Sequence, residues 1–442
     1  MTNTETQTSF PLPPGNFGLP LLGEIDDFRR DNPQNFVEKR HQKYGSIFKT
    51  SLLWQRTIYV CGIEACRFVL NNENVYFQNN MPPNIKALIG SSAVTIQTGN
   101  KHRNRRQLLQ KVFTSQYLNK QAQTIQEITQ NYCRRWEKSG KFVWYPELQN
   151  YSFDIAGKLF IDKDCASSST LGKLYGIWSE GLFSFSLPLP WTKLGRALQS
   201  RKKILRQIEK IIYQRQKENN LEKSTDALSL LLQARDEEGN SLSLEEIKEQ
   251  ILNLLSAGHG TLASALTSFC LLLAQNPEIL YKCRQEQQQL GASSLSPENL
   301  KSMIYLEKVL KEVLRKIPPV GGGFRKVIKE CSFNGYLFPK GWQVIYQISS
   351  IHQEPELFAF PDTFNPERFS STSQDFLEGY IPFGGGRRRC LGESLARLEM
   401  KIFAATLVRN YSWELSDNQD LEIELFPFPH PRDDLKVHFQ RI

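Results

Sequence analysis

The sequence predicts a mainly α-helical protein with a minor β component, held in one large domain. Three observations carry this. Apolar residues recur at spacings of three and four from about residue 99 to 248, the period of amphipathic helices. A stretch without any Asp, Glu, Lys or Arg runs from 251 to 274, long enough for one buried helix. After Pro318 the pattern shortens to strand-like runs, KVIKECSFNGYLFPKGWQVIYQI, joined by Asn-Gly and Lys-Gly turns.

The elements follow in order. The opening PLPPGNFGLPLLGE, residues 11–24, is too dense in Pro and Gly for regular structure. A short helix is expected over 33–44, then two strands, SIFKTSLLW and RTIYVCG, and a short helix over 64–70. Helices follow over 102–113, 118–138, 151–160, 171–183 and 196–218, interrupted by SLPLPWTKLG, whose prolines cannot continue a helix. Ser243 with Glu246 has the form of a capping box and opens a helix running to about Gln275. Further helices fit 277–289, 303–316 and, beyond a long loop, 392–410, before a strand-rich tail. No linker separates two independent units, so the division is a flexible amino terminus, 1–10, and one domain, 11–442.

Composition narrows the class. Hydrophobic residues at 40% and charged residues at 23% are those of a folded, soluble protein with a core large enough to enclose a cofactor. A net charge of +9 spread over 442 residues, without one long basic run, does not make a nucleic-acid partner. A solvated surface comes first, and a docking face for an acidic protein second. The eight cysteines form no CxxC pair, which argues against zinc. With no secretory pattern in MTNTETQTSF, a reducing cytoplasm is expected and most cysteines are small buried hydrophobes. The charge-free stretch is interrupted by SAGHGT and by Asn253, Ser264, Thr267 and Ser268, groups that a lipid-facing helix would hold at a cost. No transmembrane anchor is therefore expected; the location is cytoplasmic and soluble, with peripheral membrane association left open.

The most informative segment is FGGGRRRCLGESLARLEMKIF, residues 383–403. Three glycines precede Cys390 and one follows it, just ahead of an amphipathic helix. Glycine lets backbone amides approach a ligand atom closely, and a sulfur at a helix start feels the positive end of the dipole, which favours thiolate. A lone cysteine in a Gly-rich loop is more often structural. This segment, however, resembles the haem-binding signature of the cytochrome P-450 family, Phe-x-x-Gly-x-Arg-x-Cys-x-Gly, at Phe383, Gly386, Arg388, Cys390 and Gly392. The resemblance implies that Cys390 is the axial metal ligand of a haem b, whose iron receives electron density that helps cleave an O–O bond.

Other motifs join it at suitable distances. Glu312 and Arg315 in KEVLRK stand three apart on one helix face; alone they read as a surface ion pair of little weight. The resemblance implies a buried Glu-x-x-Arg pair joined by Arg368 of NPERF, stable only if every charge is satisfied. His102 and Arg106 in KHRNRRQ are four apart. A solvated basic helix explains Arg103 and Arg105, whereas the resemblance makes His102 and Arg106 haem-propionate partners, with Arg325 of PPVGGGFR and Arg388. Guanidinium groups suit carboxylates because they bond in bidentate fashion.

The 243–275 helix carries Ala257-Gly258-His259-Gly260-Thr261. Two mid-helix glycines each cost roughly 1 kcal/mol against alanine. A helix–helix crossing would justify them, as would packing on a flat macrocycle or a local helix opening; the cofactor reading assigns Gly258 to the haem. By resemblance this is the oxygen-binding groove, Ala/Gly-Gly-x-Asp/Glu-Thr, in which Thr261 handles dioxygen and protons. The chain departs from the pattern where Gly260 replaces the acid. Ordered water with Thr261 and His259 would then carry protons, His259 being equally a passive packed residue. On that reading, Gly260→Glu raises the product formed per electron consumed.

PLPPGNFGLPLLGE and PPVGGGFR further resemble the retinoic-acid hydroxylase branch of animals and its cyanobacterial relatives. The family implies insertion of one dioxygen atom into a C–H bond of an apolar small molecule. A retinoid or related isoprenoid acid is the first choice. Electrons would come from a separate ferredoxin-type donor with its reductase. Candidate pocket walls are 82–96, 182–189, Ala257, 320–324 and 426–428. Two rivals stay open: a haem-thiolate peroxygenase, isomerase or dehydratase needing no electron partner, and a non-catalytic haem gas sensor.

Overall fold

The structure, a computed structural model, describes residues 10–20, 22–31, 33–52, 55–184, 187–217, 226–235, 239–291, 295–370 and 373–442. The amino terminus expected to be flexible lies outside these residues except for Phe10, as do Leu53 and Trp54 of the first strand, Phe185 and Ser186 of a candidate pocket wall, and Glu218 at the end of one expected helix. The chain forms two compact units, one from Met1–Met81, Val320–Pro361 and Ser373–Arg389, the other from Pro82–Pro319, Asp362–Thr372 and Cys390–Ile442.

The first unit is built on a five-stranded sheet in the order Ile47–Leu52, Gln55–Val60, Gln343–Gln347, Gly322–Val327, Phe77–Asn79. Its β-branched and aromatic residues bury one face, with Ile47, Ile58, Val60, Phe77, Val327, Phe338 and Val344 in one core cluster. The expected Asn-Gly turn is present: Asn334 and Gly335 both have positive φ and join Cys331–Phe333 to Tyr336–Phe338. The Pro-rich opening runs along the outer strand, where the Lys49 amide donates to Pro14 O at 2.8 Å and the Glu24 amide to Ser51 O at 2.8 Å. It thereby covers a sheet edge that would otherwise be open.

The second unit is helical. Its longest helix, Leu244–Gln275, opens with the capping box formed in both directions between Ser243 and Glu246 and packs on Trp144–Ile161. The helix Glu393–Asn410 packs on Ser115–Ser139, Pro277–Gln289 and Ile304–Lys316. Strands Lys141–Val143, Lys436–Arg441 and Tyr411–Leu415 form a small sheet, whose Trp413 and Phe439 meet Trp144 edge-on with centroids 5.6 and 5.9 Å away. Trp144–Ile161 starts seven residues before the expected 151, because Pro146 sits in the first turn, where no intrahelical N–H is needed. Thr170–Ser179 ends four residues short of the expected 183.

Leu244–Gln275 is the one described helix long and apolar enough to cross a membrane, and 72% of its apolar window is buried inside the protein. Several of its polar residues have protein partners. Glu249 Oε2 accepts the Ser92 amide at 2.8 Å, Gln250 Oε1 the Val94 amide at 3.2 Å, and Asn253 Oδ1 the Thr95 hydroxyl at 2.7 Å. One turn of helix thus straps the 92–95 segment in place. Further along, Ser264 Oγ donates to Pro429 O at 2.6 Å and pins the tail.

Candidate active site

The cysteine loop spans the two units in sequence, and each part has its own setting. In the first unit, Gly386 has φ +62 and opens the short turn Gly386–Arg388. A Cβ there would lie 2.5 Å from Leu70 O, so this position admits only glycine. The turn consequently docks on the end of the helix Ile63–Asn71. Phe383 is half-buried at the start of the loop.

In the same unit, Arg325 and Arg388 meet a residue that the sequence reading missed. Glu73, 2% exposed, forms an ion pair with Arg325, whose Nε stands 2.9 Å from Oε2, and accepts a hydrogen bond from Arg388 Nε on Oε1. Burial pushes the Arg388 pKa down, and the Glu73 carboxylate opposes that shift. Glu73 stands in NNENVYF, where nothing local announces its use as a buried counter-ion.

In the second unit, Cys390 is exposed and lies three residues before the helix Glu393–Asn410. Cys61, Cys66, Cys133, Cys270 and Cys283 are buried instead, and burial raises the pKa of each thiol. Cys390 therefore differs from most of the chain's cysteines in being reachable. Gly392 has ordinary room, since a Cβ would stand 3.6 Å from Phe113.

His102 and Arg106 lie one turn apart on Gly99–Gln110, His102 buried and Arg106 half-buried. Burial pushes the Arg106 pKa down, while the neighbouring Cys390 sulfur acts in the other direction. Arg103 is exposed, as a solvated helix face requires. Arg105 corrects that reading: it is buried and ion-paired to Glu246, the capping-box acid of the long helix.

The Glu312, Arg315 and Arg368 side chains come together. Glu312 and Arg315 are both 0% exposed; Arg315 Nε donates to Glu312 Oε2 at 2.7 Å and Nη2 to Oε1 at 2.9 Å. Arg368 Nε and the Asn365 amide reach Oε1 at 3.0 and 2.9 Å. The surface-pair alternative does not hold for this geometry.

Leu244–Gln275 is buried before and after its middle, yet Ala257 is exposed and Gly258, His259 and Thr261 are only half-buried. The helix is continuous through these residues, so of the three reasons offered for its glycines a local opening is not the one this helix shows. Both glycines have packing reasons. A Cβ on Gly258 would stand 3.4 Å from the Phe160 ring and 3.9 Å from Ala156 Cβ, which places Gly258 at the crossing with Trp144–Ile161 rather than turning its missing side chain toward a cofactor. A Cβ on Gly260 would lie 2.1 Å from the Phe428 ring. The volume that an acidic side chain would need is filled by that ring.

Phe428 belongs to an aromatic group with Phe183 and Phe426: Phe183 is 5.8 Å from Phe426 and 6.3 Å from Phe428 between centroids. Parts of two candidate pocket walls, 182–189 and 426–428, are thereby joined beside the long helix. His259 packs edge-on against Phe153 and Tyr175 at 5.6 and 5.0 Å. Burial pushes its pKa down to about 4, which keeps the imidazole neutral at physiological pH. Thr261 Oγ1 donates to Ala257 O at 2.7 Å.

The cytochrome P-450 family model matches residues 13–437. A cytochrome P-450 120 of Synechocystis is 44% identical over 441 residues, covering 99% of this chain and 98% of its own. The mouse cytochrome P-450 26B1 is 32% identical, covering 97% of this chain and 86% of its own. A solved structure of retinoic acid-bound cyanobacterial CYP120A1 matches with TM-score 0.93 at 44% identity, covering 98% of this chain and 100% of that one. The chain belongs to the cytochrome P-450 family and is a haem-containing oxidoreductase that uses oxygen, redox partners and a small-molecule substrate.

Proposed function

We propose that this protein is a haem-thiolate monooxygenase that hydroxylates retinoic acid or a related isoprenoid acid, with residues 11–442 acting as one domain. The observation that carries the chemistry is Cys390: an exposed thiol at the start of a helix, near Arg106, in a chain whose other cysteines are mostly buried. The substrate reading is supported by the retinoic acid in the similar solved structure and by the aromatic group Phe183, Phe426 and Phe428.

The residues fit a haem b. The fit rests on the accessible surface in the middle of an otherwise buried helix, Ala257–Thr261, which suits a flat apolar ligand, and on the exposed sulfur. Cys390 would hold the haem iron through its sulfur, with Phe383, Gly386 and Gly392 shaping its loop. His102, Arg106, Arg325 and Arg388 would meet the propionates. Bound haem supplies the oxygen chemistry, in which one oxygen atom enters a C–H bond and the other leaves as water. Thr261 holds a hydroxyl proton in a bond to Ala257 O, from which it can turn toward ordered water. His259, neutral and enclosed by rings, serves as packing. Glu312, Arg315 and Arg368 act as a structural lock. A separate ferredoxin-type donor with its reductase would bring two electrons, and the protein would work as a soluble cytoplasmic enzyme.

The Phe428 ring at Gly260 also favours a second reading, a haem-thiolate enzyme that draws no proton from an acid at this position, such as a peroxygenase. Turnover with peroxide and no reductase separates the two. The test of the first is a retinoic-acid titration of the purified ferric protein, followed by its Soret absorbance. The expected result is a saturable shift to shorter wavelength as the ligand displaces water from the iron. An unchanged spectrum under saturating ligand would contradict the retinoid assignment.

A further inference from the structure

We propose that Glu73 is a positioning residue for the cofactor: the buried anion that holds Arg325 and Arg388 ready for the haem carboxylates. The inference rests on the reading of those two arginines given above.

Glu73 is fixed by its own turn. The amides of Val75, Tyr76 and Phe77 donate to Asn72 O at 3.1, 3.0 and 3.2 Å, and the Asn74 amide donates to Phe77 O at 2.7 Å. The carboxylate then ties down two distant segments. Arg325 lies on Gly322–Val327 between two neighbouring strands, with Asn79 and Val344 as register partners. Its guanidinium stands 5.1 Å from the Tyr346 ring centroid, and Nη1 donates to Phe324 O at 3.0 Å. Arg388 lies on the turn that Gly386 allows to touch Leu70 O. Both arginines meet Glu73 through Nε.

The charges explain why an acid is needed. Arg325 and Arg388 share one carboxylate, and their side chains are 3% and 10% exposed. Two buried guanidinium groups side by side repel each other and have lost hydration. One carboxylate bridging them removes most of that cost. It also limits the rotamers of two long side chains, so less ordering remains when a carboxylate ligand arrives. An opposite effect exists, because Glu73 repels a second carboxylate. The preorganisation of two cations outweighs the repulsion from one anion whose charge they already neutralise.

The test uses the full haem-loaded protein and follows haem transfer to excess apomyoglobin by absorbance, well below the unfolding temperature. Arg325→Gln and Arg388→Gln should each speed haem loss. Glu73→Gln should speed it by about tenfold, the weight of one charge-assisted contact. Glu73→Asp should recover part of the loss, and Glu73→Gln should add little to Arg388→Gln, because the acid acts through the arginines. Haem loss from Glu73→Gln at the wild-type rate or slower, or effects fully additive with Arg388→Gln, would overturn the role of Glu73 while leaving the arginine assignment standing. Unchanged haem loss in both arginine variants would overturn the arginine assignment and this proposal with it.

Discussion

Replacing Glu312 by alanine should destabilise the protein by about 3–5 kcal/mol, the cost of breaking a buried ion pair from one side. Glu312 has no exposure and serves three donors at once: Arg315 in bidentate fashion, Arg368 and the Asn365 amide. Alanine removes the anion and leaves the guanidinium of Arg315, itself fully buried, without its carboxylate. The cost lies in that residual charge rather than in the bond energies. A joint replacement, Glu312→Leu with Arg315→Leu, should therefore cost less than Glu312→Ala alone despite removing more contacts. Denaturant unfolding of the three proteins checks this. A Glu312→Ala loss below about 1 kcal/mol, the range of a surface pair, would contradict the buried geometry.

The second large effect is a reversal of sign at residue 260. In an ordinary helix interior, Gly→Ala stabilises by roughly 0.5–1 kcal/mol. Here the added Cβ would fall 2.1 Å from the Phe428 ring. The ring cannot easily retreat: Pro429 O is bonded to Ser264, His430 Nδ1 is bonded to Phe428 O at 2.8 Å, and Phe183 packs beside it. Overpacking of this kind costs about 1–3 kcal/mol, so Gly260→Ala should destabilise the wild-type protein. In a Phe428→Ala background the same change should stabilise. Gly260→Glu carries the steric cost and a poorly hydrated carboxylate as well. Restoring the acid alone should therefore leave product per electron unchanged or lower, contrary to what the sequence pattern suggests. Gly260→Glu with Phe428→Ala is the combination expected to raise it. Unfolding and coupling measurements on these variants and on their two backgrounds, wild type and Phe428→Ala, decide, and a stabilising Gly260→Ala in the wild type would contradict the contact.

The features legible in the sequence are those written in short, contiguous stretches. The Cys390 loop, the Ser243–Glu246 capping box, the Asn334-Gly335 turn and the Glu312–Arg315 spacing each lie within a few residues, so local geometry determines their arrangement. The long helix was readable from its missing charges, and Pro33–Tyr44 and Pro277–Gln289 from their periodicity. Pro83–Ile89 and Ala227–Gln233 were not, since seven residues hold too few turns for a period to stand out.

What escaped the sequence is pairing over long separations. Glu73 meets Arg388 across 315 positions and Arg105 meets Glu246 across 141. Neither pairing is visible until the fold brings acid and cation together. Gly260 shows the same limit in a packing contact. Its departure from the acidic pattern was plain, but the reason, an aromatic ring arriving from residue 428, is a tertiary fact that no window around Gly260 contains.

The central claim is that Cys390 supplies the sulfur ligand of the haem iron. Iron-edge X-ray absorption on the haem-loaded protein tests it most directly, with Cys390→Ser as the comparison. One sulfur neighbour is expected at the iron in the wild type and none in Cys390→Ser. A sulfur neighbour that survives the substitution, or an iron with only nitrogen and oxygen neighbours in the wild type, would contradict it.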